Sequence, residues 1–246
     1  MRKFGKSYKA VFQRFRIGGK DESFAQTAIS DKIYIKYPIT CQFSLARNIG
    51  GTYNALDIQF INLSEDTRRQ IFQDRFSYNS EAGSTSPREC LTVRLYAGYG
   101  GDEPLIYFGV IQEAGSVRRG TDIVTYCHVL DNGLMAKIQT VEKTYKVSNN
   151  KALLTLLAHE FTLLETGTIT LDDIKYNLPV SVSGNVYDNI TKYSKSNSYI
   201  DLNKINVIKP DEVFNEEAYI LDAASGLLET PKRTGDYIEV TTLFEP

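Results

Sequence analysis

Apolar and polar residues alternate with a period of two along much of the first 131 residues. Ile39, Cys41, Phe43 and Leu45 interleave with Thr40, Gln42, Ser44 and Ala46, the pattern of a strand with one buried and one wet face. The alternation recurs in Leu56, Ile58 and Phe60, in Val93, Leu95 and Ala97, and in Ile123, Thr125, Cys127 and Val129. Gly98-Tyr99-Gly100-Gly101-Asp102 predicts a tight turn, because its glycines accept positive φ, and Leu105 to Ala114 reads as the returning strand of a hairpin.

Helical periodicity is confined to three places. Ser64 followed by Glu65 and Asp66 supplies a capping hydroxyl and two acids at the positive end of a helix running to about Gln73. Its apolar side is thin (Leu63, Ile71, Phe72), which suits the rim of a sheet. Asn150-Lys151 opens ALLTLLAHEFTLL, apolar enough to be buried on most sides, and Val186 to Ser194 reads as a third helix with Ile190 and Tyr193 inward. Ser77 to Pro87, rich in Ser, Gly and Pro, predicts an exposed loop.

The expected fold class is mainly β within α+β. An antiparallel barrel or sandwich spans 1–131 and a small α+β segment spans 132–210. C-terminal strands return over 211–246, at Ala218–Leu221 and Tyr237–Phe244, and either complete the first barrel or start a second.

Composition agrees with a folded chain: 246 residues, 42% hydrophobic and 24% charged, with 28 Lys and Arg against 30 Asp and Glu. That balance argues against a nucleic-acid coat, which carries a large basic excess. The charge is unevenly placed. Met1 to Lys20 holds seven basic residues and no acid (Arg2, Lys3, Lys6, Lys9, Arg14, Arg16, Lys20), whereas 211–246 holds nine acids against Lys232 and Arg233. Opposite ends of opposite sign suit intramolecular pairing, contact between neighbouring copies, or two ordinary solvated faces. No secretory signal pattern opens the chain, and the apolar run Leu153–Ala158 is too short to span a bilayer.

Chemistry-bearing motifs are sparse. Cys41, Cys90 and Cys127 are odd in number and widely spaced, so they predict no disulfide framework or zinc site, and Cys41 and Cys127 read as small buried hydrophobes. His159-Glu160 lacks the second histidine of a metalloprotease helix, since position 163 is leucine. His128 falls in an alternating strand and reads as a surface or partly buried residue. Gly98-Tyr-Gly-Gly precedes a strand where a dinucleotide loop requires a helix, and no GxSxG elbow is present. The adjacent acids Asp172-Asp173 and Glu216-Glu217 face opposite ways on a strand. No catalytic, cofactor-binding or metal-binding residue is assigned, and no enzyme activity is expected.

An ordered set of motifs carries family information. Tyr53 to Ser64 is a strand entering a capped helix through Asn62-Leu63-Ser64. Leu95-Tyr96-Ala97-Gly98-Tyr99 follows, then Phe108-Gly109-Val110-Ile111, Arg118-Arg119-Gly120-Thr121-Asp122 and Asp131-Asn132-Gly133. Later come Val182-Ser183-Gly184-Asn185-Val186 and Ala224 to Thr234, with Ser225-Gly226-Leu227 and Pro231-Lys232-Arg233. From about Phe4 to Phe244 this order resembles the baseplate or tail hub proteins of tailed phages, whose first domain is related to the tail-tube protein.

The resemblance implies a structural virion protein of the tail tip, assembled in the host cytoplasm and acting in genome ejection. It implies a homo-oligomer, a trimer or a hexameric ring, between the tail tube protein and the central spike protein. The ring would border a channel for the tape-measure protein and for DNA in transit, without membrane insertion by this chain. Arg118, Arg119 and Asp122 flank Gly120 in a turn where they are expected to pair across a subunit boundary. The basic arm (Arg2, Lys3, Lys6, Lys9, Arg14, Arg16) is expected to meet the acidic C-terminal segment of a neighbour. Hub chains continue past Phe244-Glu245-Pro246 to finish a second tube-like domain, so a smaller hub, an incomplete chain or a single-barrel connector is expected. The alternatives are a carbohydrate- or receptor-binding β-module of the tail tip, with Tyr96, Tyr99 and Tyr107 as a stacking platform, and a tail-associated hydrolase.

Overall fold

The computed structural model describes residues 6–17, 26–28, 30–47, 54–73, 88–99, 103–131, 139–161, 164–209, 229–234, 237–240 and 242. The Ser77–Pro87 loop, the strand expected at Ala218–Leu221 and the tip of the glycine turn at 100–102 lie outside the described residues.

The alternating segments of the first half do form strands, and one antiparallel sheet collects them. They are β1 (Lys6–Ile17), β2 (Gln26–Ala28), β3 (Ile33–Lys36), β4 (Cys41–Ala46), β5 (Ala55–Ile61), β6 (Arg88–Tyr99), β7 (Leu105–Arg119) and β8 (Asp122–Leu130). Their order is β2-β1-β6-β7-β8-β5-β4, with β3 also on β1. The basic N-terminal stretch is therefore no free arm from Lys6 onward. β1 pairs with β6 along its whole length, and Ala10 and Phe12 are fully buried.

Three strands separate β1 from β5 in that order, yet Phe60 of β5 meets Tyr8 and Phe12 of β1, at ring-centroid distances of 6.4 Å and 6.0 Å. The sheet is thus rolled, with its inner faces in contact. The segment from β3 to β4 makes the corner: it leaves the edge of β1, turns through Tyr37–Thr40, and joins the edge of β5. The Tyr8 hydroxyl donates to the Ile39 carbonyl at 2.6 Å within that corner. Among the described residues β3 does not pair with β5, nor β4 with β1, so the roll is sandwich-like and not a closed barrel.

Phe12, Phe60, Ile58, Leu56, Leu95 and Val93 fill this first core, each stabilising the fold by about 1.5–3 kcal/mol on burial. Phe43, read as inward, shares a face with Ile58 but lies on the edge strand and stays 37% exposed. Helix α1 (Glu65–Gln73) closes one end of the roll with Leu63 and Ile71 buried, and the Ser64 hydroxyl accepts from the Thr67 amide at 3.2 Å. Gly109 is required by close approach: a Cβ there would sit 2.5 Å from the Leu130 carbonyl oxygen.

The second half builds its own core. β9 (Thr140–Tyr145) pairs with β11 (Val180–Asn185), and β10 (Glu165–Ile169), β13 (Lys204–Ile208) and β12 (Asn197–Asp201) make a mixed sheet with β10 and β13 parallel. Helices α2 (Asn150–His159) and α3 (Val186–Ser194) cover them, burying Leu153, Leu154, Leu157, Val186 and Ile190. Each helix starts on an asparagine. Asn149 Oδ1 accepts from the Ala152 amide at 2.9 Å and Asn185 Oδ1 from the Asp188 amide at 3.1 Å. Helix α2 ends at His159, short of the apolar run read from the sequence, although Phe161 and Leu164 beyond it are still buried. Among the described residues β14 (Lys232–Thr234) and β15 (Tyr237–Glu239) pair only with each other.

Candidate assembly surfaces

The hairpin joining β7 and β8 ends in Gly120, whose φ of 63° suits a residue without a Cβ. Arg119 and Asp122 are direct cross-strand partners at its base. Asp122 is engaged within its own chain: the Asn62 amide donates to its Oδ1 at 2.8 Å, while Asn62 Oδ1 accepts from the Ile123 amide at 2.9 Å. Arg118 folds back, its Nε donating to the Gly120 carbonyl at 3.2 Å. The two arginines are exposed, and Val117 beside them is 43% exposed. The tip is a basic projection, held from below by Asn62 at its own positive φ of 59°.

The remaining basic candidates do not share one surface. Arg2 and Lys3 lie outside the described residues, as do the side chains of Lys6 and Arg16 at the two ends of β1. Arg14 pairs with the buried Leu91 and therefore sits on the inner side of β1, with its backbone amide donating to Ser30 Oγ at 3.0 Å. Lys9 points outward, 4.4 Å from the centre of the Tyr96 ring. One strand over, Arg94 lies 4.6 Å from Phe108 and 5.9 Å from Phe15. Lys36 is the direct partner of Lys9 on β3, and Tyr34, 58% exposed, is the partner of Val11. The outer face of β3, β1 and β6 is thus cationic and aromatic, exposed at Tyr34 and Lys36, half-buried at Lys9, Tyr96 and Arg94, and buried at Val11, Thr92 and Cys90. None of its described positions holds a carboxylate.

A row across β5, β8 and β7, away from the hairpin tip, carries the opposite sign. Their register sets Asp57 beside His128 and His128 beside Glu113. His128 Nδ1 and Asp57 Oδ1 are 2.7 Å apart, and the Tyr126 hydroxyl donates to Glu113 Oε1 at 3.5 Å. Asp57 is 64% and His128 42% exposed along the side chain. Sequence reasoning missed this row, and Lys36 and Arg94, because each forms only across strands. The alternation that placed these residues outward was the available signal.

The tyrosine platform is not assembled. Tyr107 is 3% exposed, and its hydroxyl donates to the carbonyls of Asn54 at 2.9 Å and Val129 at 3.2 Å. Burial, then the negative charges of Asp131 and Asp57, hold that phenol far above its ordinary pKa. The Tyr99 side chain lies outside the described residues. The three thiols are free, with Cys90 and Cys127 buried, and burial pushes Cys41 up to about 12, Cys90 to about 11 and Cys127 to about 12. His159 is exposed on α2. Among the described residues no group of three or more His, Cys, Asp or Glu is placed to hold a metal ion, and no helix is long and apolar enough to cross a membrane.

A rolled antiparallel sheet with outer faces of opposite charge suits a protein that assembles through its strands. The chain belongs to the baseplate hub gp41 family, whose sequence pattern matches residues 25–246. It is a structural component of the phage tail baseplate, as the ordered motifs implied. No curated protein matches the chain in sequence. Among solved structures it is similar to the tail protein from Neisseria meningitidis MC58, at 8% identity and a TM-score of 0.48, over 83% of this chain and 50% of that one. It is also similar to the 43 kDa tail protein of prophage MuSo2 from Shewanella oneidensis, at 6% identity and a TM-score of 0.48, over 88% and 61% of the two chains. A chain of the lidded Francisella PdpA–VgrG complex matches at 9% identity and a TM-score of 0.42, over 86% of this chain and 31% of that one. The chain thus spans about half to three fifths of the length of the two tail proteins.

Proposed function

We propose that this chain is a non-catalytic ring subunit of the baseplate hub, joining the tail tube protein to the central spike protein. The observation that carries this reading is the family match over residues 25–246. Copies associate as a trimer or a hexameric ring around a channel that passes the tape-measure protein and then DNA. A slightly acidic channel wall, compatible with the sequence pI of about 5.8, offers passing DNA no counterion-release gain, so DNA slides through. Assembly takes place in the host cytoplasm before genome ejection. Arg118 and Arg119 reach across a subunit boundary, while Asp122 anchors their hairpin. Arg2 and Lys3, ahead of the first strand, meet the acidic segment 211–246 of a neighbour. Residues 1–131, 132–210 and 211–246 act as three units, a division supported by the separate cores within the first and the second.

The test is the native mass of the purified chain by light scattering at low and high salt, followed by imaging of any assembly. The expected result is a species near three or six times 27.7 kDa with a central channel, weakened by salt. A strict monomer at every salt and protein concentration overturns the ring, and turnover of a cell-wall substrate overturns the non-catalytic assignment.

A further inference from the structure

The contact between Phe60 and the rings of Tyr8 and Phe12 fixes a relationship between the two charged faces. Because the inner faces of β1 and β5 meet across the core, their outer faces point in opposite directions. The outer side of β1 and β3 presents Lys9 and Lys36; that of β5 presents Asp57 beside His128 of β8, with Glu113 following on β7. Among the described residues neither lysine forms an ion pair with a carboxylate, and neither carboxylate forms one with a lysine or arginine. Lys9 and Lys36 are direct cross-strand partners. Like charges in that position destabilise a sheet, so the arrangement works against the isolated fold.

We propose that the cationic face of one copy docks on the Asp57–Glu113 face of the next, giving a head-to-tail contact between copies. This rests on the ring assembly stated above and names the faces that form it. The two surfaces differ, so the contact is heterologous, and repeating it either closes a ring or extends a filament according to the rotation per copy. Tyr34 and Tyr96 frame the cations with apolar area that becomes covered on docking, and the carboxylates relieve the Lys9–Lys36 repulsion. Charge complementarity sets the register and raises the association rate, so salt weakens the contact.

Charge reversal tests it. Lys9→Glu with Lys36→Glu is expected to bring the native mass down to 27.7 kDa at low salt, and Asp57→Lys with Glu113→Lys to do the same. Combining all four substitutions in one chain is expected to restore the assembly. Circular dichroism and melting temperature check that each variant folds. Should a reversed variant fail to fold, the wild-type chain still decides: a zero-length carbodiimide is expected to join Lys36 or Lys9 to Asp57. The outer faces of β1 and β5 point apart within one copy, so such a link is intermolecular. Assembly that is unchanged by either reversal, or that the four-fold variant fails to restore, overturns this docking while leaving the ring standing. A wild-type chain that never assembles overturns the ring itself.

Discussion

The side-chain amide of Asn54 donates to the backbone carbonyl of Ile200 at 2.9 Å, joining positions 146 residues apart and the two hydrophobic cores. Asn54 is 4% exposed, and its own carbonyl accepts from the Tyr107 hydroxyl at 2.9 Å and from the Asp131 amide at 3.0 Å. Arg47 and Asp201 approach to 3.9 Å nearby, but that pair is largely solvated and adds little. Asn54→Ala removes the amide, strands the Ile200 carbonyl and keeps the backbone acceptor. The expected cost is about 1–3 kcal/mol, read as a lower denaturant midpoint. Amide exchange over Asn197–Asp201 should accelerate with it, and an unchanged exchange pattern would show that the two cores are held together by other contacts.

Two glycines of β7 should respond differently to alanine. At Gly109 an added Cβ meets the Leu130 carbonyl oxygen at 2.5 Å, so the backbone of β8 has to move. At Gly115 the Cβ meets the tip of the Tyr126 ring at 2.2 Å, and a side chain can swing away. Gly109→Ala is expected to cost about 2–3 kcal/mol and Gly115→Ala about 1 kcal/mol. Thermal unfolding of the two variants measures the order directly.

That contrast also shows what the sequence could and could not reveal. Helix α3 was legible to the residue, because Asn185 caps it and Ile190 gives it an inward face. β5, β6 and β8 were legible because one face is apolar and the other polar. β1 was not, since Val11 is buried on its outer side while Arg14 occupies its inner side, which erases the alternation. From sequence the strand therefore reads as a charged arm. The Asp57–His128 pair, 71 residues apart, depends on which strands become neighbours and in what register. Periodicity marks a residue as outward but cannot say which outward residue stands beside it.

Buried and half-buried thiols give stability a definite pH dependence. Cys41 and Cys127 are raised to about 12 and Cys90 to about 11, mainly because burial penalises the thiolate. The unfolded chain loses these protons near pH 8.5, well before the folded one does. The stabilisation is therefore fully present below about pH 8.5 and is lost as pH rises toward the folded values. Unfolding free energy should be flat in this contribution near neutrality, then fall by up to about 1.4 kcal/mol per pH unit for each thiol. Denaturant titrations between pH 7 and 10 check the sign, and Cys90→Ala should flatten the slope by one proton. Buried Tyr107 and Tyr145, also raised by burial, extend the decline in the same direction above about pH 10.

Asn62 offers the sharpest test of how the basic hairpin is held. Its positive φ favours Asn or Gly, its amide holds Asp122, and its side-chain oxygen accepts the Ile123 amide. Asn62→Gly keeps the backbone conformation and loses both side-chain bonds, for about 1 kcal/mol. Asn62→Ala loses the bonds and adds the strain of a Cβ at positive φ, for about 2 kcal/mol in total. Asn62→Asp retains the acceptor for Ile123 but sets a second carboxylate against Asp122, so it should fall between them at low salt and recover as salt screens the repulsion. Amide exchange at Ile123 should rise sharply in the Gly and Ala variants and much less in Asp. Equal exchange in all three would mean that the β7–β8 ladder alone holds the hairpin, and that the side chain of Asn62 contributes only its tolerance of positive φ.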